Sequence, residues 1–364
     1  MRRGRWATLA ALAALLGLTG GCASSPQPTV APTPSALPTP TPSVTPSPKA
    51  VVRPRPNPPV TIAFGGDVHF DGISRPALSG GMRHIAPLLK PADIAMVNLE
   101  TAITTRGTPE PKTYHFRAPA SAFSALRNAG VDVVTMANNH GVDYGPLGLQ
   151  DSLAAIKASG FPTVGIGANA DQAYAPWRRT VRGQRIAFIG ASQVIDSNLM
   201  DTWPAGETQA GIASAYNTTR LLKAVRDAKR TSDIVVVYVH WGTERDSCPN
   251  GKQRSLAPKL VAAGADIVVG SHAHVLHGAG YLGRSYVAYG LGNFVFYKRG
   301  DGLVAQTGVL TLTVRRNSVD KWSWAPARIS NGLPYPVTGG AAGRAVESWQ
   351  RLRGCTGLKA KPSR

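Results

Sequence analysis

Residues able to hold a metal ion or move a proton recur in this chain at one kind of place, the end of an apolar, β-branched run. Val60 to Phe64 leads into Asp67 and His69, Ile94 to Val97 into Asn98 and Glu100, and Val131 to Met136 into Asn138, Asn139 and His140. Farther along, Ile234 to Val239 ends on His240, and Ile267 to Val269 passes through Gly270 and Ser271 to His272 and His274. Short continuous apolar runs mark buried parallel strands, and open α/β sheets carry their chemistry just beyond the carboxyl ends of such strands. Five of these ends on one rim make one polar cluster.

The ligand types narrow what the cluster can hold. Imidazoles mixed with carboxylates and an amide oxygen suit zinc, manganese or iron better than calcium, which takes oxygen alone. No cysteine falls among these residues, which argues against a thiolate-held structural zinc. In Asp67-x-His69 and His272-x-His274, side chains two apart can reach one ion from an irregular turn. A carboxylate such as Glu100 can bridge two ions, and a pair of ions can activate water and stabilise a leaving oxygen. Each residue alone has a plainer reading, since a strand-end histidine is commonly a hydrogen-bonded structural residue and Asn138 or Asn139 can serve a turn. The repetition is what points to a metal; His84, His115 and His277 fall outside it.

The same residues carry a resemblance. Gly65-Gly66-Asp67, Val97-Asn98-Leu99-Glu100, Ala137-Asn138-Asn139-His140 with Asp143 and Gly145, His240-Trp241-Gly242-x-Glu244, Gly270-Ser271-His272-Ala273-His274 and Gly290-Leu291-Gly292-Asn293-Phe294 occur in this order. The series resembles the capsule-synthesis CapA family, associated with poly-γ-glutamate synthesis, over residues 60–298. That family looks like a branch of the calcineurin-like metallophosphoesterases. The resemblance implies two divalent ions (manganese, zinc or iron) held by Asp67, His69, Glu100, Asn139, His240, His272 and His274. It further implies His140 as the acid or leaving-group partner, with Asn98, Asn138, Asp143, Glu244 and Asn293 supporting the ligands or the substrate. Phosphoesterases usually carry Gly-Asp at the second motif, whereas Asn98-Leu99-Glu100 puts a longer carboxylate in the bridging role. His69, in turn, follows the phosphoesterase pattern more closely than the CapA one.

The elements that must position these groups alternate along the chain. Helical stretches are expected over Ala120 to Ala129, Gly148 to Ser159, Ser214 to Arg230 and Gln253 to Ala263, between the strand-like runs, which makes the fold α/β. Further strands are expected over Arg185 to Ala191, Tyr286 to Gly290 and Gly308 to Arg315, with Val319 to Ile329 pairing back on the last. These fit the metallophosphoesterase-like two-sheet sandwich flanked by helices that the resemblance implies. Residues 299–364 complete the domain and end in a short helix and a basic tail.

The N-terminal segment reads differently. Arg2, Arg3 and Arg5 precede an Ala/Leu-rich stretch and then small residues before Cys22, the order of a secretory signal over residues 1–22. Leu18-Thr19-Gly20-Gly21-Cys22 also resembles a bacterial lipoprotein cleavage box with the aliphatic residue one place early, so Cys22 is expected to carry lipid. The apolar stretch is shorter than the ~20 residues that span a bilayer. Residues 23–59 are dominated by Pro, Thr, Ser, Ala and Val without an aromatic or acidic side chain, a composition that forms an extended linker rather than a core. The expected location is extracytoplasmic, on the bacterial membrane surface or secreted.

Formal net charge is +20, yet no nucleic-acid motif or stacked aromatic platform accompanies it. Nucleic acid is therefore not an expected partner, whereas anionic lipid, an envelope polymer or poly-γ-glutamate is. With Cys22 lipidated, Cys248 and Cys355 remain as a pair that export permits to bridge, and two free thiols are an equal expectation. These features together describe an exported, lipid-anchored, metal-dependent hydrolase-like protein, the alternative being a non-catalytic assembly component that binds a polyanion. Cys22→Ser is expected to release the protein from membranes or leave its precursor uncleaved, because the acyl chains supply most of the anchoring energy. Fractionation of membranes from cells expressing the variant checks this.

Overall fold

Strands that are apolar on both faces need cover on both sides, and two sheets obtain it here by packing on each other and under helices. The structure, a computed structural model, describes residues 28–29, 57–297 and 302–363. The leader, Cys22 and nearly all of the linker expected before residue 60 lie outside them. Residues 55–364 group as one compact unit.

The first sheet runs, in spatial order, Leu333–Pro336, Ser318–Ser330, Gln306–Arg315, Val60–Val68, Ile94–Leu99, Val133–Thr135 and Thr163–Val164. The last four are mutually parallel, and Asn293–Val295 pairs parallel with the end of Val60–Val68. In the second sheet the order is Ala279–Leu282, Ser285–Ala288, Ile267–His272, Ile234–Trp241, Gln184–Ser192 and Trp177–Val181. Its inner four strands are parallel and its two edges antiparallel.

Alternation along each strand explains the continuous apolar runs. Ile62, Phe64 and Met96 face Phe188, Val236, Tyr238 and Val269 in the layer between the sheets. Their neighbours Ala63, Val97 and Leu99 join a separate outer core with Phe123 and Leu126 of the helix Ser121–Ala129. On the other side Ile189, Val237 and Val268 share a core with Leu221 and Val225 of Thr218–Thr231 and with Leu256 and Leu260 of Gly251–Ala263. Parallel strands joined by such helices return their carboxyl ends to one rim, as the sequence pattern requires.

Local chemistry sets the helix limits. Asn250 and Gln253 form a reciprocal capping box at the start of Gly251–Ala263, and Gly264 ends it at φ 112°. The helix expected from Ser214 starts four residues later, because the Asn217 side chain accepts the Thr219 amide as its cap while Ser214 bridges to Ser192. Ser318–Ser330 pairs antiparallel with Gln306–Arg315 over nearly its whole length, as expected. Trp324 stacks on Trp349 at 4.6 Å and so seats the helix Gly339–Arg351 on that sheet. The expected basic tail is not free, since Lys359 pairs with Tyr281. Cys248 and Cys355 form a disulfide, with Cα atoms 5.8 Å apart, resolving the two expectations for this pair. Among the described residues no helix is long and apolar enough to cross a membrane.

A bulge aims the first strand at the rim. Its pairing with Ile94–Leu99 shifts between Phe64 and Asp67, and the Tyr238 hydroxyl crosses from the second sheet to donate to the Gly65 carbonyl at 2.9 Å. The Asp67 amide then donates to the Gly292 carbonyl at 2.9 Å, so close that a Cβ on Gly66 would lie 1.9 Å from that oxygen. Gly66→Ala is therefore expected to cost about 3 kcal/mol, the upper end of overpacking penalties. Urea unfolding against wild type measures it.

Candidate metal centre

Asp67 is fully buried at the end of its strand, level with Asn98 on one neighbour and Asn293 on the other. The Asn98 amide donates to Asp67 Oδ1 at 2.8 Å and stands 3.1 Å from His240 Nδ1. Asn138 in turn donates to Asn98 Oδ1 and to the Leu99 carbonyl, both at 2.9 Å, and accepts the His140 amide at 3.0 Å. Asn98 and Asn138 thus spend their polar atoms on tying three strand ends together. Those atoms are thereby engaged within the protein.

The second sheet contributes imidazoles. Trp241 is in register with His272, and His240 with Ser271, which also approaches His240 Nδ1 at 3.1 Å. His240 Nε2 faces Asn139 Oδ1 at 2.8 Å and Glu100 Oε1 at 3.7 Å. Both His272 (φ 95°) and His274 (φ 58°) adopt the left-handed region, a strained choice for non-glycine residues that clusters at functional sites. In exchange the His272 amide donates to Asp67 Oδ2 at 3.1 Å, and His274 Nδ1 lies 3.6 Å from that oxygen and 2.9 Å from Asn293 Oδ1.

Three overlapping groups result: Asp67, Glu100 and His274; Glu100, His240 and His272; and Glu244, His272 and His274. In each, one ligand atom per residue lies within 4.8 Å of the others. Glu100 Oε1 and His272 Nδ1 are buried without a hydrogen-bond partner. Leaving such atoms unsatisfied costs about 1–3 kcal/mol apiece, and a divalent cation is what a carboxylate oxygen and an imidazole nitrogen in one group would both accept. The donor set fits a first-row ion.

Burial governs the ionisation of these groups. Burial raises Glu100 well above the usual carboxylate range, and the neighbouring Asp67 charge adds to the effect. For Asp67 itself burial also pushes upward, but the adjacent His274 and His240 rings outweigh it, so its pKa lies below the usual carboxylate range. Loss of solvent lowers His240 to about 3 and His272 well below the ordinary histidine value. Neutral imidazoles keep the lone pair that coordination needs.

His69 stands apart from the other expected ligands. Its Nδ1 faces the Asp71 amide at 3.0 Å and its Nε2 the Tyr297 amide at 2.9 Å, while the ring stacks on Phe116 at 4.3 Å. It belongs to none of the three groups. Asn293, expected to support the site, has its Oδ1 2.9 Å from His274 Nδ1 and donates to the Val304 carbonyl at 3.0 Å. Glu244 is exposed at the rim. His277, which has no part in the motif pattern, is fully buried, and its Nε2 lies 2.7 Å from the Asp246 carbonyl.

His140 sits against this cluster, Nε2 3.9 Å from Glu100 Oε1. Asp143 Oδ2 lies 2.6 Å from its Nδ1 and also accepts the Phe116 amide at 2.6 Å. A carboxylate there places the ring proton on Nδ1 and leaves Nε2 toward the cluster. Burial lowers the His140 pKa, and Asp143 works against that shift. Sequence reading missed Lys112, whose buried ammonium donates to Asp143 Oδ1 at 2.8 Å and to the Asn139 carbonyl, 3.5 Å from Asp196 Oδ2. It lies in an irregular segment with no periodicity or motif to flag it.

The chain belongs to the bacterial capsule synthesis protein PGA_cap family, whose profile matches residues 61–298. It is 32% identical over 297 residues to the capsule biosynthesis protein CapA of Bacillus anthracis, covering 78% of this chain and 71% of that one. It is 29% identical over 266 residues to the PGA biosynthesis protein CapA of Bacillus subtilis, covering 70% and 66%. A solved structure described as a novel phosphatase from Mycoplasma pneumoniae superposes with a TM-score of 0.47 at 14% identity, over 74% of this chain and 93% of that one.

His240→Ala and His272→Ala are expected to lose most bound manganese while the far-ultraviolet circular dichroism is retained, since neither ring fills the centre of a hydrophobic core. His277→Ala is expected to keep its metal and lose about 0.5–1.5 kcal/mol of stability, the net worth of its hydrogen bond to the Asp246 carbonyl. Metal per chain beside thermal unfolding separates the two kinds of histidine.

Proposed function

We propose that this protein is an exported, lipid-anchored, metal-dependent hydrolase of the phosphoesterase type, acting in capsule, poly-γ-glutamate or other envelope-polymer metabolism. Six buried side-chain atoms among the described residues lack a hydrogen-bond partner, and the two that share one group of ligand-type side chains, Glu100 Oε1 and His272 Nδ1, carry this reading. Asp67, Glu100, Asn139, His240, His272 and His274 are the residues that would hold two divalent ions of manganese, zinc or iron. When bound, such ions supply Lewis-acid polarisation of a phosphoryl or carbonyl oxygen and a hydroxide-like nucleophile near neutral pH.

The chain's own contribution is orientation and proton handling. Asp143, itself held by Lys112 and the Phe116 amide, takes the His140 Nδ1–H and favours the doubly protonated imidazolium, the form whose Nε2 proton would pass to a leaving oxygen. Beside it opens a cleft of about 710 Å³ whose walls include His69, Tyr114, Phe116 and Tyr297. The cleft offers a substrate a way toward that edge of the site. The envelope setting rests on the leader-like sequence before residue 23 and on the biosynthetic names of the relatives.

Those names also favour a second reading, in which the metal rim binds a polyanion during polymer assembly without cleaving it. Manganese-loaded protein assayed on bis(p-nitrophenyl) phosphate and on a γ-glutamyl oligomer tests the choice. Turnover that falls about 10²- to 10⁴-fold in His140→Ala, with metal content unchanged, is the expected result. Tight binding of polyglutamate with no turnover of either compound would establish the assembly role instead.

A further inference from the structure

The loop after His240 is held more firmly than a surface loop needs to be. Ile234–Trp241 ends, Gly242 turns the chain at φ 114°, and Glu244 follows, exposed at the rim. The next residue, Arg245, donates its amide to the carbonyl of Ala273 at 2.8 Å. Ala273 is the residue between His272 and His274, so this bond sets the two loops in register. One residue later the Asp246 carbonyl meets His277 Nε2 at 2.7 Å, and two further on Cys248 is disulfide-bonded to Cys355. Asn250 closes the loop by donating to Thr243 Oγ1 at 3.0 Å.

What this arrangement presents is a single carboxylate. Glu244 makes no hydrogen bond or ion pair with another described residue, although the chain carries a net charge of +20. A carboxylate oxygen of Glu244 lies within 4.8 Å of ring nitrogens of both His272 and His274. His272 Nδ1 is buried and unpartnered, and both histidines adopt positive φ. One carboxylate and two imidazoles converging on a point are a ligand set for a first-row divalent ion.

Building on the metal-centre reading above, we propose that Glu244 is itself a metal ligand, the solvent-side carboxylate of the centre, and that the Cys248–Cys355 disulfide holds its loop in coordinating position. Asp67, Glu100 and His240 supply the inner side of the same centre. Glu244 then does more than steady a neighbouring ring.

Full-length protein, stripped of metal and titrated with Mn²⁺ by calorimetry, tests this, with ions per chain counted by elemental analysis. Glu244→Gln is expected to lose one bound ion or to bind at least about tenfold more weakly, the smallest effect seen on removing even a partner of a ligand. Glu244→Asp, which keeps the charge, is expected to recover part of the loss. Thermal unfolding of both variants should match wild type, since the side chain is exposed. Cys248→Ser with Cys355→Ser is expected to weaken Mn²⁺ binding in the same direction. Wild-type stoichiometry and affinity in Glu244→Gln would overturn the assignment while leaving the inner centre standing; unaltered binding in the double cysteine variant would overturn the role of the disulfide. Wild-type protein that binds no Mn²⁺ would refute the metal centre itself, and this ligand with it.

Discussion

A carboxylate with no access to water must find every partner inside the protein, and Asp67 is such a carboxylate. Its two oxygens are met by an amide side chain from the neighbouring strand, the backbone amide of His272 from the second sheet and the nearby imidazoles of His240 and His274. Satisfying it requires both sheets to end at one level. The bulge at Gly65-Gly66, the close approach to Gly292 and the Tyr238 hydroxyl bond across the layer all serve that alignment. Without the bulge, Asp67 would stay in the pleat of its strand, where alternation alone decides which face a side chain occupies.

From that point outward the structure is a sequence of compromises between satisfaction and reactivity. Asn98 and Asn138 consume hydrogen-bonding capacity to hold strand ends together. Glu100 and His272 each keep a buried atom unsatisfied, and His272 and His274 accept backbone conformations that non-glycine residues avoid. A fold tolerates such local costs when its surroundings are over-determined. Here the surroundings are three continuous hydrophobic layers, one between the sheets and one outside each.

Two groups of contacts connect the rim to the rest of the molecule. On the first-sheet side Lys112 gathers Asp143, the Asn139 carbonyl and Asp196, which couples the orientation of His140 to a loop that follows a strand of the second sheet. On the second-sheet side the C-terminal helix packs Trp349 on Trp324 and donates to the His277 carbonyl, while Cys355 bonds Cys248. The chain's last segment is thereby part of the support for the loop that carries Glu244. Membership of the PGA_cap family over residues 61–298 covers the metal rim but not this C-terminal brace.

Much of this was legible in the sequence, for a physical reason. Buried parallel strands must be apolar throughout and must place their polar residues past their ends, so the runs leading to Asp67, Glu100, His140, His240 and His272 announced both the sheets and the rim. The helix expected from Gln253 begins two residues earlier, at Gly251, behind its Asn250 cap, and the start expected at Ser214 falls later because a pairing with the distant Ser192 took that residue instead. What only the tertiary structure decided were matters of long-range geometry. His69 fits the ligand motif in spacing, yet its two ring nitrogens lie against the amides of Asp71 and Tyr297, the latter 228 positions away, and whichever nitrogen carries no proton accepts from its neighbour. Lys112 has no motif, because its role depends on three partners from separate segments. Cys248 and Cys355 stand 107 positions apart, and sequence could count the thiols without measuring the distance between them. Spacing along a chain determines which side chains a turn or strand can present together, whereas contacts between elements depend on how the layers pack, which no local pattern encodes.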